Sequence, residues 1–215
     1  MISAVFVDAG GVLFNNVIED SGFAAELARR HGLDCAELVA RILRRAPDYE
    51  SGRCHVHEVF REILQGGAAP AAQEFDARWL DTTFLGSVRC HRASFTAVEQ
   101  LRRVRPRLLV AMTNNEPEHW DRLKDGRFGH FGLFDRRFSS WQLGEVKPTA
   151  SYFTELAGQC PVPPAETLLV DDRSTVLQVA ADLGMRTLHV TDPAALGEQL
   201  RAAVLGTGAP VASRS

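Results

Sequence analysis

The stretch Ile2-Ser3-Ala4-Val5-Phe6-Val7-Asp8-Ala9-Gly10-Gly11-Val12-Leu13 decides the fold of this chain. Its first six residues form a largely apolar run, which predicts a buried strand that ends at the carboxylate of Asp8. The glycine pair that follows predicts a turn where the backbone can approach a ligand closely. An acid and a ligand-binding turn are therefore expected together at the carboxyl end of the first strand.

Short apolar segments recur later in the chain, and helical segments alternate with them. They are residues 107–112, a weaker segment near 137–139, residues 167–170 and residues 186–190. Between the last two, residues 174–183 have the pattern of a helix that Gly184 ends. This alternation predicts an α/β fold with a parallel sheet covered on both faces, which explains why the apolar runs are continuous.

The long interval between the first two strands, from about residue 15 to about residue 91, contains helical patterns and no convincing strand. The predicted helices are residues 23–30, ended by Gly32; residues 38–45, stopped by Pro47; residues 56–64, stopped by Gly66-Gly67; and residues 71–84. A helical insertion at this place predicts a lid over the strand ends, which would exclude water and select substrates.

The composition is that of an ordinary globular protein, with 215 residues of which 45% are hydrophobic and 24% charged. A net charge of −3 and a pI near 6.2 leave no broad basic field, so we expect no nucleic-acid partner. No apolar run approaches the roughly 20 residues of a membrane span, and the N-terminus lacks the basic region of a signal peptide. The sequence predicts a cytoplasmic protein without membrane association, either a monomer or a homodimer.

The four cysteines are expected to be reduced and partly buried, because none of them has CxxC spacing. They are Cys35, Cys54, Cys90 and Cys160. The run Cys54-His55-Val56-His57 suggests a metal site, but zinc needs about four ligands and no second cluster in the sequence supplies them. We therefore do not expect a metal ion there.

Three more polar clusters resemble Asp8 in their position at the end of a strand or helix. They are Thr113-Asn114-Asn115, Lys147-Pro148 and Asp171-Asp172. In a parallel sheet, ligands bind at the carboxyl ends of the strands, near the point where strand order reverses. Each cluster alone also fits a turn, a helix cap or a surface lysine. Their joint occurrence in this order predicts one composite site.

A carboxylate such as Asp8 can attack phosphorus and form an aspartyl-phosphate. Its approach to phosphate costs around 4 kcal/mol per charge pair at about 4 Å and an effective dielectric constant of ~20. A hard cation such as Mg²⁺ would offset this repulsion, with Asp8, the Gly10 carbonyl and Asp172 as its protein ligands.

The other polar residues would serve the phosphate directly. Lys147 would place a second cation against the transferring group. Thr113 and Asn114 could donate to the remaining phosphate oxygens. Asp171 could orient Lys147 or a metal-bound water.

These clusters resemble the four signature motifs of the haloacid dehalogenase-like hydrolase superfamily. The matching segments are Val5-Phe6-Val7-Asp8-Ala9-Gly10-Gly11-Val12-Leu13, Met112-Thr113-Asn114-Asn115, Leu143-Gly144-Glu145-Val146-Lys147-Pro148 and Leu169-Val170-Asp171-Asp172-Arg173. The helical insertion resembles the small cap of the subfamily whose cap follows the first motif, with Tyr49-Glu50-Ser51-Gly52 in it. The resemblance covers the whole chain.

The resemblance implies a Rossmann-like core of residues 1–14 and 92–205 and a helical cap of residues 15–91. The small and polar composition of residues 206–215 predicts a flexible tail. The resemblance also implies Mg²⁺ and a phosphorylated aspartate as intermediate. The implied site residues are Asp8, Thr113 and Lys147 for catalysis; Gly11, Thr113 and Asn114 for the substrate; and Asp8, Gly10, Asp171 and Asp172 for the metal.

Gly10 departs from the family pattern, because most phosphatases of this family have a second aspartate there that acts as general acid and base. Such help is typically worth about 10²–10⁴-fold in rate. Water or a cap residue could replace it, with Asp20, Glu50, His55 and His57 as candidates. Alternatively, the substrate has a good leaving group, as an anomeric sugar phosphate has, or the protein does not turn over. Sugar-1-phosphate phosphatases of the superfamily also resemble Asp-x-Gly in this motif.

Three functions are therefore open. The first is a Mg²⁺-dependent phosphatase that acts on a small phosphorylated metabolite, a sugar phosphate among the candidates. The second is a haloacid dehalogenase, which would use the same aspartate on carbon without metal. The third is a non-catalytic relative that binds a phosphorylated ligand or a protein. The acid pair Asp171-Asp172 favours the metal-dependent chemistry.

Overall fold

The structure is a computed structural model, and it describes residues 1–66 and 74–206. Within these residues five parallel strands form one sheet in the order β3-β2-β1-β4-β5. The strands are β1 (Ala4–Asp8), β2 (Leu109–Asn114), β3 (Arg136–Ser139), β4 (Thr167–Asp171) and β5 (Arg186–His189). The predicted α/β fold with a parallel sheet is confirmed.

Helices surround this sheet and fill the interval after its first strand. They are α1 (Val17–Asp20), α2 (Phe23–His31), α3 (Cys35–Glu50), α4 (Val56–Gln65), α5 (Ala77–Ser87), α6 (Arg92–Val104), α7 (Glu118–Phe128), α8 (Ser140–Leu143), α9 (Ala150–Gln159), α10 (Ser174–Asp182) and α11 (Leu196–Leu205). None of the helices in the described part of the chain is both long and apolar enough to cross a membrane.

Strand β1 lies at the centre of the sheet and is buried along its whole length. Val5 and Val7 belong to the larger hydrophobic core on one face, whereas Ala4 and Phe6 belong to the smaller core on the other. Full burial of a side chain of this size is worth about 1.5–3 kcal/mol, so both faces favour an apolar sequence. The continuous apolar run that predicts β1 follows from this two-sided burial.

The register of the sheet brings the polar strand ends together. Asp8 is paired with Thr113 on β2, and Val7 is paired with Val170 on β4. Asp171 therefore lies beside Asp8 on the other side of β1. Strand order reverses at β1, which is where ligands bind in sheets of this kind.

Helices α1 to α5 lie between β1 and α6 in the chain, as predicted, and no strand interrupts the described residues of this interval. Their aromatic side chains pack on Trp120 of α7. Its ring stacks on Phe84 at 4.0 Å and meets Phe60 and Phe23 at 5.0 and 5.9 Å between centroids. This packing joins the insertion to a helix next to the sheet. The division into core and cap stays a prediction.

Two predicted boundaries in the insertion are wrong. Helix α3 does not stop at Pro47 but continues to Glu50. The helical turn after Pro47 is stabilised because it buries Tyr49 against Phe60. Ser51 Oγ also donates a hydrogen bond to the Pro47 carbonyl at 2.6 Å.

The fourth predicted helix begins later than expected, at Ala77, where the Asp76 side chain caps it. Its predicted start at residue 71, Gly67 and the tail from residue 207 lie outside the described residues. The ends of α2 at Gly32 and of α10 before Gly184 agree with the prediction to within one residue. Strand β2 extends two residues beyond its predicted end, to Asn114.

Candidate functional site

The structure brings Asp8, Lys147 and Asp171 into one buried ion cluster. Lys147 Nζ lies 2.8 Å from Asp8 Oδ1 and 2.8 Å from Asp171 Oδ2. All three residues are buried. Asp8 Oδ1 also accepts a hydrogen bond from the Ala9 backbone N–H at 2.7 Å, and Asp171 Oδ1 accepts one from the Arg173 N–H at 2.9 Å. The cluster is thus held rigidly at the carboxyl ends of β1 and β4.

The charges in this cluster perturb one another. Burial and the neighbouring Asp171 charge raise the pKa of Asp8 to about 7, although Lys147 opposes the shift. Burial lowers the pKa of Lys147, but Asp171 and Asp8 raise it by more, so this lysine stays charged. With one cation and two carboxylates, the cluster has a net negative charge when both carboxylates are ionised. A strongly perturbed carboxyl group in a cavity is typical of a functional site.

Asp172 completes an all-oxygen acidic set with Asp8 and Asp171, whose ligand atoms lie within 4.8 Å of one another. Asp172 Oδ2 accepts a hydrogen bond from Asn16 Nδ2 at 2.9 Å. Asp172 Oδ1 is buried and has no hydrogen-bond partner among the described residues. A buried carboxylate oxygen without a partner is costly. The donor set and this free oxygen fit a hard divalent cation such as Mg²⁺.

The two glycines after Asp8 make room for this set. A Cβ on Gly11, whose φ is +68°, would lie 2.0 Å from Asp172 Oδ2. A Cβ on Gly10 would meet Asn16 Oδ1 at 2.9 Å. The side chain of Asn16 thus lies beside the position that an aspartate at residue 10 would occupy.

The three residues of the polar cluster Thr113-Asn114-Asn115 lie in three different environments. Thr113 is fully buried beside Asp8, and its Oγ1 lacks a hydrogen-bond partner within the described chain. Asn114 Nδ2 donates to Asp121 Oδ1 at 3.2 Å, which uses one of its two N–H groups. Asn115 exchanges two hydrogen bonds with the Lys147 backbone, at 2.8 and 2.9 Å, and so fixes the loop that carries this lysine.

A cavity of about 290 Å³ opens over these strand ends. Asp8, Asn114 and Lys147 line its floor, and Glu50 and Arg173 contribute charge to its walls. The rest of the wall is mixed. Its apolar members include Val17, Ile18, Leu43, Ala46, Pro47, Phe84, Pro117 and Trp120, and its polar members include Asn15, Asn16, Glu19, Asn115, Glu116 and Lys124. The cavity therefore combines a charged floor with a wall that is only partly apolar.

Of the four candidates to replace the missing aspartate at Gly10, Glu50 lines this cavity and Asp20, His55 and His57 do not. Glu50 reaches the cavity because α3 continues past Pro47. Burial and the charge of Glu116 raise the pKa of Glu50 to about 8, although Arg173 and Lys147 oppose the shift.

His57 lies elsewhere, against Asp81 and His119, and these three residues form a second group that could hold a metal ion. The structure thus brings two further candidate ligands to the run Cys54-His55-Val56-His57, and the expectation that no metal ion binds there stays a prediction. Asp81 and His119 come from α5 and α7, and no local pattern in the sequence marks them as neighbours of His57.

Sequence reasoning missed Asn16, Arg173 as a wall residue, and a buried ion pair of Lys124 with Glu116 in the cavity lining. Arg173 ends the fourth motif segment and Asn16 lies three residues after the first, and this proximity is the signal that could have identified them. The Lys124–Glu116 pair has no comparable signal in the sequence.

The structure thus belongs to the class of α/β proteins, with a parallel sheet and an acidic cluster at the carboxyl edge of that sheet. A model of the haloacid dehalogenase-like hydrolases matches residues 2–184. The chain belongs to this family, as the motif resemblance predicts.

A curated relative is "Sesquiterpene phosphatase astK" of Aspergillus oryzae (strain ATCC 42149 / RIB 40). It is 24% identical over 202 residues, which cover 92% of this chain and 94% of the relative.

Two solved structures illustrate the shared fold. The HAD family enzyme bt-2542 of Bacteroides thetaiotaomicron in its magnesium complex has a TM-score of 0.73 and 18% identity, over 88% of this chain and 93% of that one. L-2-haloacid dehalogenase of Xanthobacter autotrophicus, with chloropropionic acid covalently bound, has a TM-score of 0.63 and 20% identity, over 98% and 85%. At these identities the likeness shows the fold alone.

Proposed function

We propose that this protein is a Mg²⁺-dependent phosphatase that hydrolyses a small phosphorylated metabolite through an aspartyl-phosphate. The observation that carries the proposal is the position of Asp8, at the floor of a cavity between Lys147 and the acidic pair Asp171-Asp172. The sesquiterpene phosphatase relative and the magnesium complex of a structural neighbour support the same chemistry.

Asp8, Asp172 and the Gly10 carbonyl would hold the metal, with Asp171 next to them. Mg²⁺ would supply the positive charge that the ion cluster lacks and would favour the ionised form of Asp8. The unpartnered Oδ1 of Asp172 supports its assignment as a ligand. Asn16, through its hydrogen bond to the other oxygen, would orient this carboxylate.

Asp8 would attack phosphorus through a carboxylate oxygen, and the bond between phosphorus and the leaving oxygen would break. Lys147 would stabilise the charge on the transferring phosphoryl group, and Thr113, with its free Oγ1, would donate to a phosphate oxygen. The backbone of Gly11 and the amide of Asn114 would complete the phosphate contacts. Attack of water on the aspartyl-phosphate would then release phosphate and restore Asp8.

We further propose that Glu50 takes the role of the aspartate that is missing at residue 10. A carboxyl group with a pKa near 8 is protonated at neutral pH and can donate a proton to the leaving oxygen. The resulting carboxylate can then accept a proton from the attacking water. Ser140 Oγ donates to the Glu50 backbone carbonyl at 2.6 Å and holds this end of α3 at the cavity.

Glu50→Gln is expected to lower kcat by about 10²–10⁴-fold, because the amide cannot transfer a proton. In the parent protein kcat/KM should fall as the pH rises through about 8, where Glu50 loses its proton. This alkaline limb should be absent in the variant. Steady-state initial rates of phosphate release, measured against substrate concentration across pH 6–9, give both effects. Asp20→Asn is the matched control, since Asp20 is exposed and outside the cavity wall. An unchanged alkaline limb in Glu50→Gln would exclude this role.

Gly11→Ala is expected to lower kcat by at least about 100-fold, because the added Cβ would displace Asp172 from its position. Gly32→Ala is the matched control. Gly32 has nearly the same φ, +65°, but a Cβ there meets nothing within 4 Å. Gly32→Ala should lose about 1–2 kcal/mol of stability from backbone strain, and Gly11→Ala should lose more because of the additional clash with Asp172, both measured by urea unfolding. Equal activity of the two variants would contradict a role for the Gly11–Asp172 contact.

The apolar part of the cavity wall, which includes Phe84 and Trp120, can accommodate a hydrophobic part of a substrate next to its phosphate, in line with the name of the curated relative. An isoprenoid monophosphate of modest length has such a part. The wall also carries side chains that can bind hydroxyl groups, such as Asn16 and Asn115, so a sugar phosphate is the alternative substrate class.

The deciding experiment measures phosphate release from a panel of aryl, sugar and isoprenoid monophosphates, with and without Mg²⁺. We expect release that depends on Mg²⁺ and is highest for the isoprenoid esters. Release of halide from a 2-haloacid without Mg²⁺ would identify a dehalogenase instead. Specific binding of a phosphate ester without release at any Mg²⁺ concentration would identify a non-catalytic binding protein.

A further inference from the structure

A second cluster of metal-ligating side chains lies outside the cavity, with Asp81 at its centre. His57 Nε2 lies 2.8 Å from Asp81 Oδ1, and His119 Nε2 lies 2.8 Å from Asp81 Oδ2. The rings of the two histidines are 4.6 Å apart between centroids. A third imidazole, that of His55, lies 4.8 Å from the His57 ring. Two imidazoles therefore contact one carboxylate, and a third lies next to them.

The cluster is partly buried and its carboxylate is ionised. The exposed fractions of the His57, His119 and Asp81 side chains are 18%, 33% and 20%. Burial raises the pKa of Asp81, but hydrogen bonds from His57, His119 and Trp120 lower it by more. The site is thus sheltered enough to hold an ion and open enough to admit one.

From this geometry we propose that His57, Asp81 and His119 form a binding site for Zn²⁺ or a similar transition-metal ion, separate from the candidate Mg²⁺ site. Two imidazole nitrogens and a carboxylate, with water as a fourth ligand, make a donor set that zinc accepts in proteins. Mg²⁺ prefers oxygen donors and would select the acidic cluster at Asp8 instead. The two sites therefore differ in chemistry as well as in place.

Binding would need a modest rearrangement. Tetrahedral zinc separates its ligand atoms by about 3.4 Å, given bond lengths near 2.1 Å, so the two 2.8 Å hydrogen bonds would open. Each neutral imidazole would carry its proton on Nδ1 and present the lone pair of Nε2 to the ion. The Trp120 Nε1–H, which donates to Asp81 Oδ1 at 3.0 Å, would remain as support for the carboxylate.

A metal ion at this site would connect three separate helices. His57 belongs to α4, Asp81 to α5 and His119 to α7, and α7 follows the sheet strand β2 directly. One ion would therefore link two helices of the insertion to a helix beside the sheet. Because the described ligands come from three separate helices, binding should stabilise the folded protein and restrict movement of the insertion.

Titration with Co²⁺ in the presence of excess Mg²⁺ tests the proposal, because Mg²⁺ occupies the oxygen site and Co²⁺ reports its ligands by absorption. We expect one Co²⁺ per chain with the visible bands of a low-coordinate nitrogen-ligated ion, displaced by Zn²⁺. His119→Ala should raise the dissociation constant by more than about 100-fold, since it removes a direct ligand. Glu58→Gln, at an exposed carboxylate beside His57, is the matched control and should bind as the parent does.

A second measurement separates loss of the site from loss of the fold. Zn²⁺ should raise the Tm of the parent and of Glu58→Gln but not that of His119→Ala, whose metal-free Tm should stay close to that of the parent. The absence of a nitrogen-ligated Co²⁺ spectrum in the parent would overturn the proposal. The same spectrum in His119→Ala would overturn it too. Because neither readout uses enzymatic activity, failure here leaves the proposed phosphatase function untouched.

Discussion

Asp8→Asn is expected to abolish turnover, with a fall in kcat of about 10⁴-fold or more. The amide is nearly the same size as the carboxylate but cannot attack phosphorus, and loss of a covalent nucleophile has effects of this order. Transfer of radiolabelled phosphate to the protein, trapped by acid quenching, should be seen in the parent and not in the variant. Asp182→Asn, at an exposed carboxylate on α10, is the matched control and should turn over normally.

The same variant should be more stable than the parent, which a purely structural role for Asp8 would not produce. The pKa of Asp8 is raised to about 7, so its ionised form destabilises the folded state at pH values above its ordinary pKa. Removing that charge should raise the Tm at pH 8, by about 2–4 °C for each kcal/mol gained. The gain should shrink as the pH falls below 7. Normal turnover by Asp8→Asn would refute the mechanism outright.

Lys147→Met is expected to cost about 3–5 kcal/mol of unfolding free energy and to inactivate the protein. It removes the cation that lies 2.8 Å from both Asp8 and Asp171 and leaves two buried carboxylates facing each other. Urea unfolding at pH 8 measures the loss. Arg103→Met, at an exposed residue on α6, should cost little.

The pH dependence and a double variant identify the cause of that loss. In Lys147→Met the pKa of Asp8 should rise further, so the variant should regain stability as the pH falls from 8 to 6. In Lys147→Met, the additional change Asp8→Asn should restore more free energy of unfolding than Asp8→Asn gains in the parent, because it then also relieves the unscreened repulsion from Asp171. If Asp8→Asn changed the stability equally in both backgrounds, the cation and the carboxylates would be independent, which the short distances in the structure argue against.

The sheet and the candidate site floor could be predicted because their signals are local. A strand buried on both faces needs a continuous apolar run, and Asp8, Thr113 and Asp171 each follow such a run. Parallel strands then bring those ends together whatever lies between them in the chain. The helix limit at Gly32 was predictable for a similar reason, since a left-handed residue ends the helix there.

Contacts made between distant helices could not be predicted in this way. Glu50 reaches the cavity only because the burial of Tyr49 outweighs the helix-breaking tendency of Pro47. That balance depends on Phe60 and Trp120, which belong to other helices. The sequence could name Glu50 as one of four candidates, but it could not choose among them.

The His57–Asp81–His119 cluster is a second contact between distant helices that the sequence could not predict. The His57–Asp81 and Asp81–His119 contacts join residues 24 and 38 positions apart, and neither residue type is unusual on a helix surface. A search for metal ligands by sequence spacing finds Cys54 and His55 next to His57, yet the structure pairs His57 with residues of two other helices. Three-dimensional packing alone supplies that information.

The two ends of the helical insertion are joined side by side. Asn15 N–H donates to the Arg89 carbonyl at 3.1 Å, and Arg89 N–H donates to Asn15 Oδ1 at 2.6 Å. When the two ends of an inserted segment lie next to each other, the segment can be replaced by another without moving the rest of the domain. Recombination could therefore graft a foreign helical module between these two residues and give the same strand ends a new specificity. Deletion of the helical insertion would instead remove the aromatic partners of Trp120 and expose its ring to water.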